Sequence, residues 1–509
     1  MSKHTAAVIG SGFGGLALAV RLQSAGFQTT IFEARDKPGG RAYVYEDQGF
    51  TFDAGPTVIT DPDCLRELFA VSGRKLEDYL DLMEVTPFYR IHWEDGFTFD
   101  YSNNSEENNR QIREKSPVDV EGYRRFLEYS QEVVKEGYIK LGTVPFLNFS
   151  DMIKAAPQLV KLQAFRSVYS MVSKYIKDEH LRQVFSFNTL LVGGNPFDTS
   201  SIYTLIHALE QRWGTWFAKG GTHALVQALV RLFEDLGGEI RLSAPVAEIF
   251  AEGDRVTGLR TEDGWQGQFD TIASNADVVF TYDKLLGRTD RGRQAARSMK
   301  RRSFSPSIFL IHFGVEGTYP ELSHHNILFG PRYKAHLKEL YSGPELSEDF
   351  SLYLHNPTIT DPDLAPPGCS TYYALAPVPN LKSADLNWDE VAPEYCERIL
   401  NYLEAHYMPD LTSRIVTKRT FTPFDFRDEL NAYHGSAFSL EPVLWQSAYF
   451  RTHNRDDRLR NLYFAGAGTH PGAGIPGVVG SGKATAGLML DDFGHQYPDT
   501  DVSAQFAKS

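Results

Sequence analysis

Three glycines and one acidic residue near the N-terminus have the spacing of a dinucleotide-binding site. Gly10, Gly12 and Gly15 form the pattern G-x-G-x-x-G, and Glu33 follows Gly15 by eighteen positions. In such a site the first glycine makes a tight turn, the second lets the backbone approach a pyrophosphate, and the third lets a helix pack closely on a strand. The acid accepts hydrogen bonds from ribose hydroxyls. The predicted chemistry is therefore the binding of a dinucleotide cofactor.

The sequence also predicts the elements that position these residues. Residues 6–9 are apolar and predict a short strand, residues 16–25 have helical apolar spacing, and residues 28–32 predict a second strand. The helix N-terminus would offer N–H groups and a positive dipole end to phosphates. A glycine-rich turn that binds nothing is the alternative, but a strand, a helix, a second strand and an acid in this order favour the cofactor. The motif alone leaves NAD and FAD open.

A second glycine-rich stretch near the C-terminus resembles a phosphate-binding P-loop. It reads GAGIPGVVGSGKATAGL over residues 472–488. A P-loop needs a Ser or Thr after its lysine to bind magnesium, whereas Ala484 follows Lys483 here. We therefore predict that the stretch is a strand, loop and helix of another kind of site. Pro476 suits the first turn of that helix, and Lys483 is expected to be a surface or structural lysine.

Composition excludes several classes of protein. The chain has 509 residues, 42% of them hydrophobic and 23% charged, which indicates a folded protein of two or more domains. A net charge of −14 argues against a nucleic-acid partner. The three cysteines are too far apart for C-x-x-C spacing, which favours a reducing compartment; they are Cys64, Cys369 and Cys396.

The sequence predicts neither a metal site nor a membrane span. His324, His325 and His470 have no partners at the sequence spacing of metal ligands, so we expect no metal. No secretory signal is recognised at the N-terminus. Apolar runs of about 18 residues or more, as a spanning helix requires, are also missing from the sequence. The expected location is the cytoplasm.

Longer stretches resemble a known family, the bacterial phytoene desaturases, which are FAD-dependent carotenoid desaturases. The similarity covers nearly the whole chain up to about Phe493. It depends on the glycine elements above and on more specific segments: GRAYVYEDQGFTFDAGPTVITDP, EGYIKLGTVPFLNF, LLVGGNPFDTSSIYTLIHALE, FTPFDFRDELNAYHGSAFSLEPVLWQSAYFR and GAGTHPGAGIPGV. The resemblance implies desaturation of phytoene, a colourless C40 polyene, towards lycopene. FAD would be the hydride acceptor.

The resemblance also implies a fold and a division into domains. We expect an α/β protein with a Rossmann-like FAD-binding domain of the amine-oxidase (GR2-like) type, an inserted α+β substrate domain and a helical membrane-facing region. The FAD domain is predicted to be discontinuous, with pieces at 1–70, 220–295 and 455–492. The substrate and membrane-associating domain would comprise 71–219 and 296–454, and 493–509 would form a tail.

Cofactor contacts are expected from several glycine-containing or strand-end segments. The pair Gly39-Gly40 followed by Arg41 is typical of FAD-binding amine-oxidase-like proteins, in which the arginine and loop backbone reach the pyrophosphate. The helix beginning near Pro476 would direct its N-terminus at the flavin. The full predicted set is Gly10, Gly12, Phe13, Gly14, Gly15, Glu33, Ala34, Arg35, Gly40, Arg41, Gly55, Pro56, Thr57, Val246, Asn275, Gly468, Thr469, Pro476, Gly477 and Val478.

The implied reaction needs little acid–base chemistry from the protein. Hydride loss beside a conjugated triene leaves a delocalised cation that loses its proton readily, so catalysis would be mainly positioning. The catalytic group remains unassigned, and Asp151, Asp425, Glu441 and His434 are candidates for the proton, with a structural role as the alternative for each. The sequence holds no second dinucleotide motif. We therefore expect oxygen or a quinone as the electron acceptor.

Other functions remain open at this point. They are a carotenoid isomerase, another carotenoid oxidase, and a lipid-binding protein that keeps FAD only as structure. A C40 hydrocarbon is confined to bilayers, so we also expect peripheral, monotopic docking on a membrane surface. Residues 152–177 combine helical apolar spacing with Lys161, Arg166 and Lys174 and lack acids. An ordinary core-packed helix is the alternative, with 185–209 as a second docking candidate; a homo-oligomer is left open.

Overall fold

The computed structural model of the chain describes residues 4–140, 142 and 144–496. Of the predicted tail, 497–509 lie outside the described residues. The strands, in chain order, are β1 Thr5–Ile9, β2 Gln28–Phe32, β3 Val44–Asp47, β4 Phe50–Asp53, β5 Leu82–Val85, β6 Tyr89–Trp93, β7 Thr98–Tyr101, β8 Thr215–Ala218, β9 Glu239–Arg241, β10 Val246–Glu252, β11 Arg255–Thr261, β12 Gln266–Gln268, β13 Thr271–Ser274, β14 Ser307–Glu316, β15 His325–Phe329, β16 Ser351–His355, β17 Cys369–Val378, β18 Ile415–Phe421 and β19 Leu462–Phe464.

The α-helices begin immediately after the first strand and end near the C-terminus. In chain order they are α1 Phe13–Ser24, α2 Pro62–Ala70, α3 Ser105–Lys115, α4 Val120–Val133, α5 Phe149–Lys161, α6 Val168–Tyr175, α7 Glu179–Val184, α8 Leu205–Trp213, α9 Thr222–Asp235, α10 Val278–Phe280, α11 Asp290–Met299, α12 Tyr333–Ser342, α13 Trp388–His406, α14 Leu411–Arg414, α15 Pro423–Asp428 and α16 Ile475–Phe493.

A parallel sheet in the order β19-β13-β1-β2-β9 carries the glycine motif. Its central strand β1 is apolar on both faces, as expected for a strand covered on both sides. Ala6 and Val8 pack with α1, α9 and α16, whereas Ala7 and Ile9 pack with the small antiparallel sheet β10-β11-β12. The turn after Ile9 and the end of β2 therefore meet at one edge of the sheet, where ligands of such folds bind.

A second, mixed sheet lies beyond this edge in the order β18-β14-β17-β16-β15-β6-β7. Alternate residues of β14 supply two separate cores. Phe309 and Ile311 pack with α13, whereas Ile308 and Leu310 face the aromatic side chains of β6, β7 and α4. The face that carries Leu310 also lines the large cavity described below.

The predicted amphipathic segment 152–177 is two helices rather than one interrupted helix. α5 contains Pro157, and a turn separates it from α6. The expected apolar face is divided between several environments. Val172 and Ile176 are fully buried in the protein core, Met152 and Leu159 line the large cavity, and Phe165, in the turn, is 65% exposed. Ile153 and Val160, which lie outside the expected face, are 60% and 64% exposed. Exposed apolar side chains of the segment therefore lie on α5 and in the turn that follows it.

Among the described residues, 4–140, 142 and 144–496, no helix is both long enough and apolar enough to span a bilayer.

Candidate active site

The loop between β1 and α1 forms a cradle in which Gly10 and Gly12, together with Gly15 on α1, leave no room for a side chain. Gly10 has φ of +91°, a conformation that L side chains rarely adopt. A β-carbon on Gly15 would lie 2.1 Å from the carbonyl oxygen of Gly10, so α1 packs directly on the loop. A β-carbon on Gly12 would lie 2.8 Å from Oδ1 of Asn275. The backbone is thus open to a close-fitting ligand at the N-terminus of α1.

Glu33, at the end of β2, organises this loop. Its side chain is buried, and its Oε2 accepts hydrogen bonds from Ser11 N at 2.8 Å and Ser11 Oγ at 2.5 Å. Its Oε1 accepts from the backbone N of Arg35 at 3.0 Å. Because Glu33 and Ser11 both line the cavity, the carboxylate lies at the cavity wall while it fixes the loop.

Arg41 brings an underpaired positive charge to the same cavity. Its Nη2 has a long contact of 3.4 Å to the carbonyl oxygen of Ser436, and its buried Nε has no hydrogen-bond partner among the described residues. Burial lowers the pKa of Arg41, although the negative charge of Asp277 opposes this shift. A guanidinium with unused donors fits a pyrophosphate or another anion.

The C-terminal segment closes the cavity opposite the glycine loop. α16 follows Gly474, whose φ is +90°. A β-carbon on Gly482 would lie 2.9 Å from the carbonyl oxygen of Gly14, so α16 and α1 are in close contact. Arg451, only 2% exposed, donates from Nε to Thr469 O at 2.9 Å and from Nη2 to Ala467 O at 2.5 Å. This arginine fixes the loop between β19 and α16.

Lys483 has the structural role expected for it. Its Nζ lies 3.2 Å from Oε1 of Glu67, which is also paired with the buried Arg21. The lysine therefore ties α16 to α2.

One cavity of about 660 Å³ extends from the glycine loop into the helical region and along the second sheet. Most of its wall beyond the cradle is apolar. A hydroxyl cluster interrupts that wall: Thr57 Oγ1 lies 2.9 Å from the Tyr353 hydroxyl and 2.8 Å from the Tyr373 hydroxyl. Burial raises the pKa of both tyrosines well above its usual value, so they are neutral donors.

Most residues predicted to bind the cofactor line this cavity. They are Gly10, Gly12, Phe13, Gly14, Glu33, Ala34, Arg35, Gly40, Arg41, Gly55, Pro56, Thr57, Val246, Asn275, Pro476, Gly477 and Val478.

Gly15, Gly468 and Thr469 are not in its lining and support it from behind. Gly15 packs on Gly10, a β-carbon on Gly468 would meet Val278, and Thr469 Oγ1 donates to Gly466 O at 2.9 Å.

The four candidates for the proton are all outside the cavity lining. Asp151 starts α5 and pairs with Lys154 at 3.2 Å. Asp425 closes a capping box with Thr422 at the start of α15. Burial raises the pKa of Glu441 to about 7, with Asp198 adding to the shift, and burial lowers the pKa of His434 to about 4. The cap explains Asp425 as a structural residue.

Several cavity residues escaped the sequence reasoning. Tyr353 and Tyr373 stand on β16 and β17 among other aromatic residues, so spacing gave no signal for them. Arg451, which supports the loop before α16 without lining the cavity, lies in an irregular segment and gave no signal either. Glu429 also lines the cavity and pairs with Arg35, with Nη2 to Oε2 at 2.8 Å. In the sequence, the only indication of a second acidic residue at this place is Arg35, which lies close to Glu33, the acid predicted to bind ribose.

The reasoning that excluded a metal considered only spacing in the sequence. The structure brings His355 against the pair His324 and His325, from 31 positions after the first of them. That histidine pair therefore does have a partner in space, and the argument from spacing was wrong on this point.

Comparison with known proteins decides the family. The family described as flavin containing amine oxidoreductase matches residues 13–490. A phytoene desaturase (lycopene-forming) of Pantoea ananas is 60% identical over 485 residues, covering 95% of this chain and 99% of that protein. The chain belongs to the phytoene desaturases, within the flavin-containing amine oxidoreductases. Its cofactor is FAD.

More distant matches agree with this family and fold. A lycopene-forming phytoene desaturase of a Paracoccus strain is 59% identical over 96% of this chain and 97% of that protein, and a neurosporene-forming one of Rhodobacter capsulatus is 40% identical over 96% of both chains. Among solved structures, putrescine oxidase with bound putrescine matches with a TM-score of 0.63 at 16% identity, over 96% of this chain and 99% of that one. At that identity the match shows the fold alone.

The residues present fit FAD. The glycine cradle leaves room at the N-terminus of α1 for a pyrophosphate, and Arg41 has a buried donor without a partner facing the same space. Glu33 stands where a ribose would be held, as in other dinucleotide sites. α16 begins on the opposite side, with Pro476, Gly477 and Val478 in the cavity wall.

Proposed function

We propose that this chain desaturates phytoene towards lycopene, using FAD as hydride acceptor and oxygen or a quinone as terminal acceptor. The observation that carries the proposal is the 60% identity to a lycopene-forming phytoene desaturase over nearly the full length of both chains. The apolar cavity that continues from the FAD cradle supports it, because a C40 hydrocarbon offers no polar group for recognition.

In this mechanism the protein mainly positions the polyene. FAD supplies the electron acceptor for the hydride that leaves the allylic carbon. The apolar wall formed by residues such as Leu310, Ile327 and Phe329 holds the chain beside the cradle and excludes water from the delocalised cation. The second hydrogen leaves the neighbouring carbon as a proton.

We propose that the hydroxyl cluster of Thr57, Tyr353 and Tyr373 receives that proton. Its members are polar groups in the apolar part of the wall, hydrogen-bonded to one another at 2.8 and 2.9 Å. Tyr353 is further hydrogen-bonded to Nδ1 of His325 at 2.6 Å. The hydroxyls would relay the proton, each oxygen taking one proton as it releases its own, until it reaches water at the cavity entrance and the charge has left the substrate.

The chain is proposed to dock peripherally on a membrane at the cavity entrance, from the cytoplasmic side. Side chains of α5 face both ways, since Met152 and Leu159 line the cavity while Ile153 and Val160 point outward. Leu444 lines the cavity and is partly exposed, and its neighbour Trp445 is 66% exposed. We call the exposed apolar residues of this region the docking patch: Phe149, Ile153, Val160, Leu444, Trp445 and Phe450.

Turnover distinguishes this function from its alternatives. Purified protein with FAD and phytoene in liposomes, without NAD or NADP, should form coloured products with longer conjugation under oxygen or with added quinone. An isomerase would change geometry without adding double bonds, and a lipid-binding protein would leave the spectrum of the polyene unchanged. Unchanged phytoene under both acceptors would refute the proposal, and a strict need for NADP would refute its electron acceptor.

A further inference from the structure

Three histidines meet at the end of the β15–β16 ladder, behind the cavity wall. His324 precedes β15, His325 begins it, and His355 ends β16 directly opposite His325. Their side chains are 3%, 0% and 1% exposed. Phe217 covers the group, with its ring centroid 4.7 Å from that of His324. None of the three lines the cavity of the proposed active site.

Their ring nitrogens converge as metal ligands do. One nitrogen from each ring lies within 4.8 Å of the others. Nε2 of His324 and Nε2 of His355 are 3.1 Å apart. Two nitrogens bound tetrahedrally to one zinc ion at ~2.0–2.1 Å lie about 3.3 Å from each other. The separation of this pair therefore fits a shared ion.

The opposite ring nitrogens are held by hydroxyl groups. Nδ1 of His324 lies 2.6 Å from Thr360 Oγ1, and Nδ1 of His325 lies 2.6 Å from the Tyr353 hydroxyl. Such outer contacts fix the orientation of metal-binding imidazoles and leave Nε2 free for the ion. The arrangement is that of ligands already oriented towards a common centre.

Hydrogen bonding inside the protein does not account for the cluster. An N–H···N bond could join His324 to His355, but the buried Nε2 of His325 and Nδ1 of His355 have no hydrogen-bond partner among the described residues. A buried polar atom without a partner costs about 1–3 kcal/mol, so two of them at one place need an explanation. A bound ion satisfies the nitrogen of His325.

The charge state also suits a metal. Neutral imidazole is the form that binds metals, and these three rings are buried with no carboxylate among their hydrogen-bond partners in the described part of the chain. Three neutral ligands leave the charge of a divalent ion uncompensated, which favours a water or hydroxide as fourth ligand, as in other three-histidine zinc sites.

We propose that His324, His325 and His355 bind one zinc-type divalent transition-metal ion. The ion joins the loop before β15 to the end of β16. Through His325 it fixes Tyr353, which belongs to the hydroxyl cluster of the cavity wall. Metal binding can be tested separately from the proposed reaction, because all the proposed ligands are protein side chains and neither FAD nor the polyene is among them.

Metal binding by the FAD-loaded full-length protein tests the proposal. After dialysis against a chelator, the protein is equilibrated with zinc or cobalt. Elemental analysis measures the bound metal, and thermal unfolding gives the midpoint temperature with and without metal. We expect one ion per chain, the absorption bands of four-coordinate cobalt, and a higher midpoint temperature when metal is bound. His355→Asn and His325→Asn should abolish all three effects while the flavin spectrum is retained.

His336→Asn is the matched control, because His336 on α12 is similarly buried and neither of its ring nitrogens has a hydrogen-bond partner among the described residues, but it does not belong to the three-histidine group. This variant should still bind one ion. If His355→Asn does not fold, the proposal is tested with His324→Asn and with the thermal unfolding midpoint of the wild-type protein, measured before and after treatment with the chelator. Wild-type protein that binds no zinc or cobalt, or cluster variants that bind as much as wild type, would overturn the proposal.

Discussion

Asn275 stands directly against Gly12 across the cofactor cradle. A β-carbon on Gly12 would lie 2.8 Å from Asn275 Oδ1, while Nδ2 of the same asparagine donates to Ala465 O at 2.9 Å. The asparagine therefore joins the glycine loop to the segment that leads into α16. A side chain at Gly12 would both enter the pyrophosphate space and displace this link.

Gly12→Val should consequently abolish FAD binding, so that the purified variant is colourless. The matched control is Gly480→Ala. Gly480 lies within α16, and a β-carbon on it would make ordinary contacts with Pro471, 3.6 Å from Cγ and 4.0 Å from Cδ. Replacing a helical glycine by alanine stabilises by roughly 0.5–1 kcal/mol when space allows, so the control should keep its flavin. Titration of apoprotein with FAD measures both, and full affinity in the valine variant would contradict the cradle assignment.

The sequence was sufficient to predict the cradle because its determinants are local. Gly10, Gly12, Gly15 and Glu33 lie within one strand–helix–strand unit. Gly10 is required by its positive φ and Gly15 by its contact with Gly10, whereas the steric reason at Gly12, Asn275, comes from a distant segment. Pro476 at the start of α16 is predictable for the same reason.

Residues that come together from distant segments could not be predicted in this way. Tyr353 and Tyr373 meet Thr57 from 296 and 316 positions away, and neither strand differs in pattern from an ordinary aromatic-rich core strand. His355 joins His324 only through the register of β15 with β16. The apolar face predicted for 152–177 was wrong in its second half, because helical spacing cannot tell a face that meets protein from one that meets lipid.

Arg41→Met should weaken FAD binding. The guanidinium has a long contact to Ser436 and a buried Nε without a hydrogen-bond partner among the described residues, so its donors are available to an anion. Because Asp277 loses a nearby positive charge in this variant, the thermal unfolding midpoint of the apoprotein is measured alongside. Hydrogen bonds to charged groups contribute about 1.5–3 kcal/mol, which predicts a loss of affinity of roughly 10- to 150-fold. Arg124→Met, at a surface ion pair, is the control. Unchanged affinity would exclude Arg41 from the cofactor site.

Thr57→Val should lower kcat at least tenfold while FAD affinity is retained. The variant keeps the shape of the side chain but removes the hydroxyl that joins Tyr353 and Tyr373. Positioned proton transfer typically contributes about 10²–10⁴-fold. Thr57→Ser retains the hydroxyl and should retain most of the rate. A valine variant with wild-type kcat would show that the proton leaves by another route.

Glu210 should make stability fall as pH rises towards 8. Burial raises its pKa to about 8, although Tyr89 and Asn188 donate to it at 2.8 and 2.6 Å and partly oppose the shift. The folded state therefore binds the proton more tightly than the unfolded chain. Its stabilising contribution is complete below the usual glutamate pKa and is lost as pH rises through about 8.

Glu210→Gln imitates the protonated acid and removes this dependence. We expect the variant to have a flatter stability profile between pH 5 and pH 8 and to be more stable than wild type at pH 8, in denaturant unfolding at each pH. Glu128→Gln, at an exposed ion pair with Arg124, should leave the slope unchanged. If the free energy of unfolding of the Glu210 variant depends on pH as steeply as that of wild type, another group is responsible for the dependence.

Membrane binding should depend on the apolar docking patch and also on the basic residues Lys161, Arg166 and Lys174. Ile153, Val160 and Trp445 are each at least 60% exposed beside the cavity entrance. Full burial of such a side chain is worth about 1.5–3 kcal/mol, and each basic residue near anionic lipid adds about 1 kcal/mol. Replacing these three residues by Ser should therefore weaken sedimentation with liposomes at least tenfold, on neutral and anionic lipid alike.

Charge reversal separates the two contributions. Changing Lys161, Arg166 and Lys174 to Glu should weaken binding to anionic liposomes only, with the flavin spectrum intact. Val118→Ser with Ile359→Ser is the control for exposed apolar residues elsewhere, since these are 65% and 55% exposed. If the patch variant sediments like wild type, the entrance of the cavity does not face the bilayer, and residues 185–209 become the next segment to test. If only the control pair weakens binding, the protein docks by another surface.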